Sequence, residues 1–381
     1  MRYLIFLIFF LSLYSSLHLY WYGKLRHAFK LGSQSKLMCL VFMVIMVLAP
    51  VFTRLLERNH LEMPARWLAY VGYVWMGYLF LFFASGLVLD AYRMMLAGAV
   101  RLFDAGGAFQ LSARQAFMVP FIAALGIMSI GFYQALNIKV EKVTLQTPKL
   151  AQAIGRFKIV QISDVHLGLI VGAGRLKRIV SLVEAQKPDV LVSTGDLIDG
   201  QLNKLSGLTG MLRRIPTPYG KYAVTGNHEF YAGLNEALQI TRDAGFRVLR
   251  GEGVNIPERI SIVGVDDPAG RRMGAIHSVS EEALRSELPG EQFALLLKHQ
   301  PRVAAASQGL FDLQLSGHTH KGQIFPFSLV VKHFFPYDSG LFALANQTHL
   351  YVSRGTGTWG PPIRFLSPPE VTVIELVSTA K

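Results

Sequence analysis

The chain has 381 residues, 51% of them hydrophobic, with 38 Lys and Arg against 25 Asp and Glu for a net charge of +13. That length accommodates two domains, and the single cysteine, Cys39, excludes an internal disulfide and a thiolate zinc cluster. Nucleic acid is not the expected partner, because no Lys/Arg cluster is interleaved with aromatics; juxtamembrane charge and attraction to anionic lipid or a phosphorylated substrate account for the basic balance.

Residues 1–138 hold 11 Lys/Arg and only 4 Asp/Glu, and four apolar runs stand out: Tyr3–Tyr22, Leu37–Phe52, Trp67–Leu89 and Ala116–Leu136. About 20 helical residues cross a hydrocarbon core of about 30 Å. The first, third and fourth runs reach that length and the second falls somewhat short. Tyr20, Trp21, Tyr22, Trp67 and Tyr70 crowd the run ends, as interfacial anchors do. Pro120 is tolerable where neighbouring helices re-satisfy the backbone. Residues 1–22 read as an uncleaved span, since Arg2 alone makes the basic flank and no small-x-small cleavage site follows. Tyr92–Phe103 reads as a separate amphipathic helix along the interface, with Arg93 and Arg101 facing water. Residues 1–138 therefore read as an α-helical transmembrane region, expected in a bacterial inner membrane. Its sidedness stays open: Lys24, Arg26, Lys30 and Lys36 in the first loop are balanced by Arg54, Arg58 and Arg66 in the second and by Lys139, Lys142 and Lys149 after the last span.

From residue 139 to 381 the pattern changes to short apolar strands alternating with helices. Lys139–Leu145 alternates like an edge strand that enters the domain. Phe157–Ile162, Asp189–Ser193, Tyr222–Thr225, Ile260–Val265, Ala294–Leu297, Leu313–Leu315, Leu350–Ser353 and Val371–Leu376 read as further strands. Arg175–Gln186, Asn235–Ala244, Glu281–Leu288 and Arg302–Gln308 read as helices. This order implies a mixed α/β catalytic domain, two sheets flanked by helices.

Five polar motifs follow five of these strands: Asp164-Val165-His166, Gly195-Asp196, Gly226-Asn227-His228-Glu229, Lys298-His299 and Gly317-His318-Thr319-His320. Loops beyond the carboxyl ends of strands gather distant residues into one site. Setting Glu229 aside, the motifs hold two carboxylates, one amide and five imidazoles, a donor set for two hard or borderline divalent cations plus one spare histidine. Asp164 and His166 flank one residue, so at an extended strand end they project to the same side, and Asp196 is placed to bridge two cations. Asp199 reads as a turn or helix cap as readily as a ligand. His277, His333 and His349 lack such context and read as surface or packing residues, and Asp266-Asp267 reads as a turn.

In this order the blocks resemble the calcineurin-like metallophosphoesterases, over about residues 150–377. The resemblance implies a four-layer α/β/β/α sandwich and two metal sites, of manganese, iron or zinc. Asp164, His166, Asp196 and His320 correspond to the first site, and Asp196, Asn227, His299 and His318 to the second. It further implies a phosphohydrolase that cleaves a phosphoester, phosphodiester or pyrophosphate bond with a metal-activated hydroxide. His228 corresponds to the general acid, with Glu229 holding its tautomer. Gly355-Thr356-Gly357, Pro361-Pro362-Ile363-Arg364-Phe365 and Pro369-Glu370-Val371 resemble a membrane-associated branch of the family, which includes enzymes acting on UDP-diacylglucosamine-type glycolipids. Lys321 stands where that branch usually has glycine, which affects pocket shape and hence substrate. Lys321 and Arg364 are candidate contacts to a substrate phosphate or headgroup. The expected partners are the lipid bilayer and a phosphorylated substrate, lipid-linked in the reading that the spans favour. A metal-binding but non-catalytic membrane sensor or scaffold, and a membrane-tethered nuclease or protein phosphatase, are the alternatives.

Overall fold

The computed structural model describes residues 2–103, 111–200, 206–275 and 279–380. Its chain divides into two units, one of residues Met1–Phe132 with Pro361–Ile363, the other of Tyr133–Gly360 with Arg364–Lys381.

The first unit is built from helices α1 (Arg2–Ala28), α2 (Ser33–Arg58) and α3 (Glu62–Phe103), with most of α4 (Ala113–Leu136). Among the described residues α2, α3 and α4 are long and apolar enough to cross a membrane, and α1 covers the first apolar run. Large apolar side chains such as Leu37, Met38, Val88 and Ile122 lie exposed on these helices, which is how a lipid-facing surface reads. Inside, aromatic rings supply the packing: Trp75 lies 5.4 Å from Trp21 and 4.8 Å from Phe42, and its indole N–H donates to His18 Nε2 at 2.9 Å. The expected separate interfacial helix at Tyr92–Phe103 does not form. Those residues continue α3, which runs 42 residues without a break, roughly 63 Å at the usual rise. Its one proline, Pro64, lies in the first turn, where its missing N–H has no intrahelical acceptor, and the one acid at the junction, Asp90, is held by Lys24 Nζ and Tyr20 Oη, each at 2.7 Å. With its charge partnered, Asp90 gives the helix no reason to end.

In the second unit two six-stranded sheets pack face to face. Strands β1 (Lys139–Thr147), β2 (Arg156–Ile162), β3 (Val190–Ser193), β4 (Lys221–Ala223), β5 (Arg247–Val248) and β12 (Glu370–Ser378) make one sheet, in the order β1-β12-β2-β3-β4-β5. The predicted edge strand is indeed at the edge. The second sheet has the order β10-β11-β9-β8-β7-β6, from β6 (Glu252–Ile256), β7 (Ile260–Gly264), β8 (Phe293–Leu297), β9 (Leu313–Ser316), β10 (Gly340–Ala343) and β11 (His349–Val352). β2, β3, β4 and β5 run parallel, as do β7, β8, β9 and β11. Parallel strands bury both faces and so read as continuous Val/Ile/Leu runs.

Three apolar layers follow. Between the sheets lie Ile159, Val190, Val192, Leu295, Leu313 and Ile374. The outer face of the first sheet is covered by α5 (Ala173–Ala185), α6 (Ser206–Arg213) and α8 (Leu234–Asp243), through Leu176, Ile179, Val183, Leu212 and Ala237. The outer face of the second packs Val263, Ala294 and Leu296 on Leu284 of α10 (Glu281–Ser286). This is the expected α/β/β/α sandwich. Short helices α7 (Asn227–Ala232), α9 (Ala269–Arg272) and α11 (Phe327–Phe334) complete the unit. The predicted helix at Arg302–Gln308 shrinks to one 3-10 turn, Ala305–Ser307, because Pro301 and its neighbours leave too few residues for a stable α-helical nucleus.

Candidate metal centre

Each of the five motifs lies just beyond the carboxyl end of a parallel strand, after β2, β3, β4, β8 and β9. Backbone hydrogen bonds align the first two loops: Asp164 N–H donates to Gly195 O at 3.0 Å, and His166 N–H donates to Asp196 O at 3.0 Å. Gly317 N–H donates to His299 O at 2.9 Å, joining the last two.

Asp164 and His166 share a site, but not because the strand stays extended. Their φ values are 51° and 53°, and Asp196, His318 and His320 are likewise left-handed at 50°, 71° and 48°. Five of the seven expected ligands thus occupy a region that L-residues avoid, and such strain is held where surrounding structure over-determines it. Two glycines show how tight the surroundings are. A Cβ on Gly195, itself at φ 94°, would lie 2.6 Å from His299 Nδ1 and 2.7 Å from Gly226 N; one on Gly317 would lie 2.2 Å from Asp164 Oδ2.

The side chains converge in three overlapping groups, one of them Asp196 with His166 and His228; the other two share no residue. In the first, Asp164, His166 and His320 offer ligand atoms within 4.8 Å of one another, with His166 Nε2 3.1 Å from His320 Nε2 and His320 Nε2 3.5 Å from Asp164 Oδ1. In the second, Asp196, His299 and His318 do the same, with His299 Nε2 3.2 Å from Asp196 Oδ2 and 3.1 Å from His318 Nδ1. Asp196 also lies 3.9 Å from His166 Nε2, so its carboxylate stands between the groups. Asn227 sits at the start of α7, and its Oδ1 is buried without a hydrogen-bond partner among the described residues. A buried acceptor without a donor fits a cation. His299 Nδ1 lies 2.7 Å from Thr194 O, which fixes the tautomer and leaves Nε2 for the site. The donor set, mixed carboxylate, amide and imidazole, suits divalent cations.

Burial and neighbouring charge set the protonation of the cation-free site. Burial works to lower the His299 pKa, but Asp196 and Asp164 outweigh it and hold the imidazole well above its ordinary value. His318 is pushed down to about 3 by burial and by His299, and His320 is held well below its usual range by burial and by the Arg364 charge. Asp164 is raised by burial, despite His299.

His228 stands at the edge of both groups. Its Nδ1 lies 2.9 Å from Asp199 Oδ1, and the same carboxylate oxygen lies 3.4 Å from His166 Nδ1. Burial would lower the His228 pKa, but Asp196 and Asp199 raise it to about 9. Asp199, read from sequence as a turn or cap as readily as a ligand, is therefore the acid that lies against His228. The signal for it was its spacing of three from Asp196. Glu229 is not that acid. Its Oε1 accepts from Leu197 N and Ile198 N, and its Oε2 from Asp196 N and Gly226 N, at 2.7–3.3 Å. At the third position of α7 it faces back to amides of its own helix start and of the β3 loop. It clamps the two loops together.

Arg364 is not a substrate contact either. It is fully buried, donating to His320 Nδ1 at 2.8 Å and to the carbonyls of His320, Arg354 and Gly357. It fixes the His320 ring from behind. Lys321 is half-buried with φ 49°, a conformation that suits the glycine of the related branch. Asp266 accepts from Thr225 Oγ1 at 2.9 Å, and Asp267 Oδ2 from Gln300 Nε2 at 2.9 Å, so this pair braces the loops beside the site. His333 is exposed and His349 half-buried, while His277 lies outside the described residues.

The family model for calcineurin-like phosphoesterases matches residues 157–322. An uncharacterized metallophosphoesterase of Aquifex aeolicus is 41% identical over 260 residues, 67% of this chain and 98% of that protein. The chain belongs to the calcineurin-like metallophosphoesterases. A Danio rerio transmembrane protein with metallophosphoesterase domain is 33% identical over 71% of this chain and 64% of its own length. A solved dimetal phosphatase of Danio rerio aligns at 14% identity and a TM-score of 0.37, over 52% of this chain and 87% of that one. This metallophosphoesterase is a metal-dependent phosphoester hydrolase with candidate metal-binding residues and apolar helices ahead of the domain.

Proposed function

We propose that the protein is an integral-membrane phosphohydrolase with a dinuclear metal centre, acting on a phosphoester, phosphodiester or pyrophosphate of a lipid-linked substrate. Residues 1–138 supply four spans, and residues 139–381 the catalytic domain. The observation that carries the reading is the position of Asp196 between two clusters, Asp164/His166/His320 and His299/His318; Asn227 Oδ1, buried and unpartnered among the described residues, adds to it. Asp164, His166, Asp196 and His320 would hold one divalent cation, and Asp196, Asn227, His299 and His318 the other. Bound there, such a pair polarises phosphoryl oxygens and acidifies a water nucleophile.

The chain's own residues supply the rest. Asp199 pairs with Nδ1 of the His228 imidazolium, which keeps its Nδ1 proton and leaves the Nε2 proton to be donated to the leaving oxygen; the neighbouring carboxylates favour this protonated ring. Glu229 keeps the β3 and β4 loops in register, and Arg364 keeps His320 aimed at the site. The apolar helices ahead of the domain support a lipid-linked substrate, since they hold the enzyme where such molecules are.

The test is turnover of bis-p-nitrophenyl phosphate by the full chain in nanodiscs with manganese, iron or zinc, beside a metal analysis and a panel of lipid phosphates. Two bound equivalents and turnover are expected. A folded protein that binds metal yet hydrolyses nothing in the panel is a scaffold. Preferential cleavage of polynucleotide or phosphopeptide over lipid overturns the substrate assignment.

A further inference from the structure

None of the residues of α11 is buried, although the helix is mostly apolar. Phe327, Leu329, Val330 and Phe334 expose 46%, 63%, 47% and 65% of their surface, and Phe325 just before the helix exposes 40%. Phe327, Val330 and Phe334 fall at i, i+3 and i+7, a single stripe on one side of the helix. A contiguous exposed apolar face of this kind marks an interaction surface.

The helix is firmly placed. A Cβ on Gly322 would lie 2.3 Å from Ser328 Cα, so α11 rests against the turn that carries His320 and Lys321. Phe335, at its end, sets its ring 5.1 Å from the ring of His318. Across the site Tyr231 and Trp359, each about half exposed, hold their rings 5.8 Å from His228. The metal centre is thus flanked by exposed apolar and aromatic groups. Lys332 is exposed on the same helix, and aromatic and aliphatic anchors combined with a lysine are the composition of a segment that lies in a bilayer interface.

The chain itself supplies the partner. Only Asn137 and Ile138 separate α4, long and apolar enough to cross a membrane, from the first strand of the α/β unit. A tether this short keeps that unit close to lipid. We infer that α11 seats in the headgroup–acyl boundary of the bilayer and opens the mouth of the metal centre onto lipid headgroups rather than onto bulk water. The inference rests on the integral-membrane reading, and its test does not depend on catalysis.

The full chain carrying C39S and V330C, labelled with an environment-sensitive fluorophore, is placed in nanodiscs containing anionic phospholipid. Nitroxide lipids, with the quencher near the headgroup, are then compared with unlabelled lipids. A second version carries the label at Q239C, on the exposed side of α8. The label at 330 is expected to lose at least half of its emission to the nitroxide lipids, and the label at 239 to lose none. F327E with F334E should cut the quenching at 330 at least twofold while metal content and turnover of bis-p-nitrophenyl phosphate stay unchanged. Equal quenching at both positions, or none at 330, overturns the inference. So does burial of the 330 label only as protein concentration rises, which assigns the face to a second copy of the chain. If turnover is absent in every variant but the 330 label is quenched, the catalytic reading fails and this one stands.

Discussion

Replacing Asp199 by asparagine tests the division of labour between the two acids near His228. The substitution keeps the shape of the side chain and removes the charge that lies 2.9 Å from His228 Nδ1. A carboxylate at that range raises an imidazole pKa by roughly 1–3 units, and the partial exposure of Asp199, 28% of its side chain, places the loss in the lower half, about 1–2 units. Each unit lost cuts the protonated fraction about tenfold at a pH above the original pKa, so turnover on the alkaline side should fall about 10- to 100-fold. The loss applies in full to a phosphodiester with an alkoxide leaving group and hardly at all to bis-p-nitrophenyl phosphate, whose leaving group departs without a proton. The sign of the pH effect follows. His228 acts while protonated, so activity falls as pH rises through its pKa; removing Asp199 lowers that pKa, and the alkaline limb of kcat/KM moves to lower pH. The assay is steady-state turnover over a leaving-group series between pH 6 and 10, at saturating metal, because His166 Nδ1 also lies near Asp199. An unchanged rate on the poor leaving group with an unmoved alkaline limb would refute the orienting role of Asp199.

Asp196→Ala should remove metal and activity together, since its carboxylate serves both clusters; two full metal equivalents in the purified variant would contradict the bridging position. Glu229→Ala orphans four buried backbone N–H donors, each costing about 1–3 kcal/mol, so a drop in stability of at least about 3 kcal/mol should appear in thermal or denaturant unfolding, whereas a purely catalytic Glu229 predicts normal unfolding. Arg364→Met should lower metal affinity about 10- to 100-fold through the loosened His320 ring and leave KM nearly unchanged once metal is saturating; a large rise in KM would restore Arg364 as a substrate contact. Adding manganese to chelated protein at pH 7 should release protons, because His299 is held protonated by Asp196 and Asp164 and must lose its proton to ligate; a pH indicator in weak buffer reads this directly.

The residues that cluster were legible because metal chemistry constrains residue types and strand ends constrain their order: a short apolar run followed by Asp, Asn or His is a local pattern, visible without coordinates. What lay hidden depended on direction and burial, which spacing does not encode. Asp199 and Glu229 both neighbour the right motifs, and only the fold shows which carboxylate meets imidazole and which is spent on amides. Arg364 looked like a phosphate contact because a cation near a metal site is usually assumed to face substrate, yet its loop turns it inward onto three carbonyls and a ring nitrogen. The left-handed backbone at Asp164 and His166 replaces the extended alternation that the spacing suggested, and the two side chains still meet. In the helical region the break expected after Leu89 failed for a similar reason. Asp90 looks like an end signal in sequence, but with Lys24 and Tyr20 against it, it is an interior group of α3.

The same distinction orders the site by function. The residues that touch a reacting phosphate can be few, because the groups behind them are numerous and specific: Thr194 O sets His299, Asp199 sets His228, Arg364 sets His320, and Glu229 sets the loop that carries Asp196. None of these four fixes a ligand by packing alone; each uses a directed hydrogen bond or ion pair in a buried setting, where a misplaced partner costs most. A substitution in this outer group should therefore change the rate, the metal affinity or the stability separately, depending on which ligand it orients. Loss of Asp196 alone should change all of them at once.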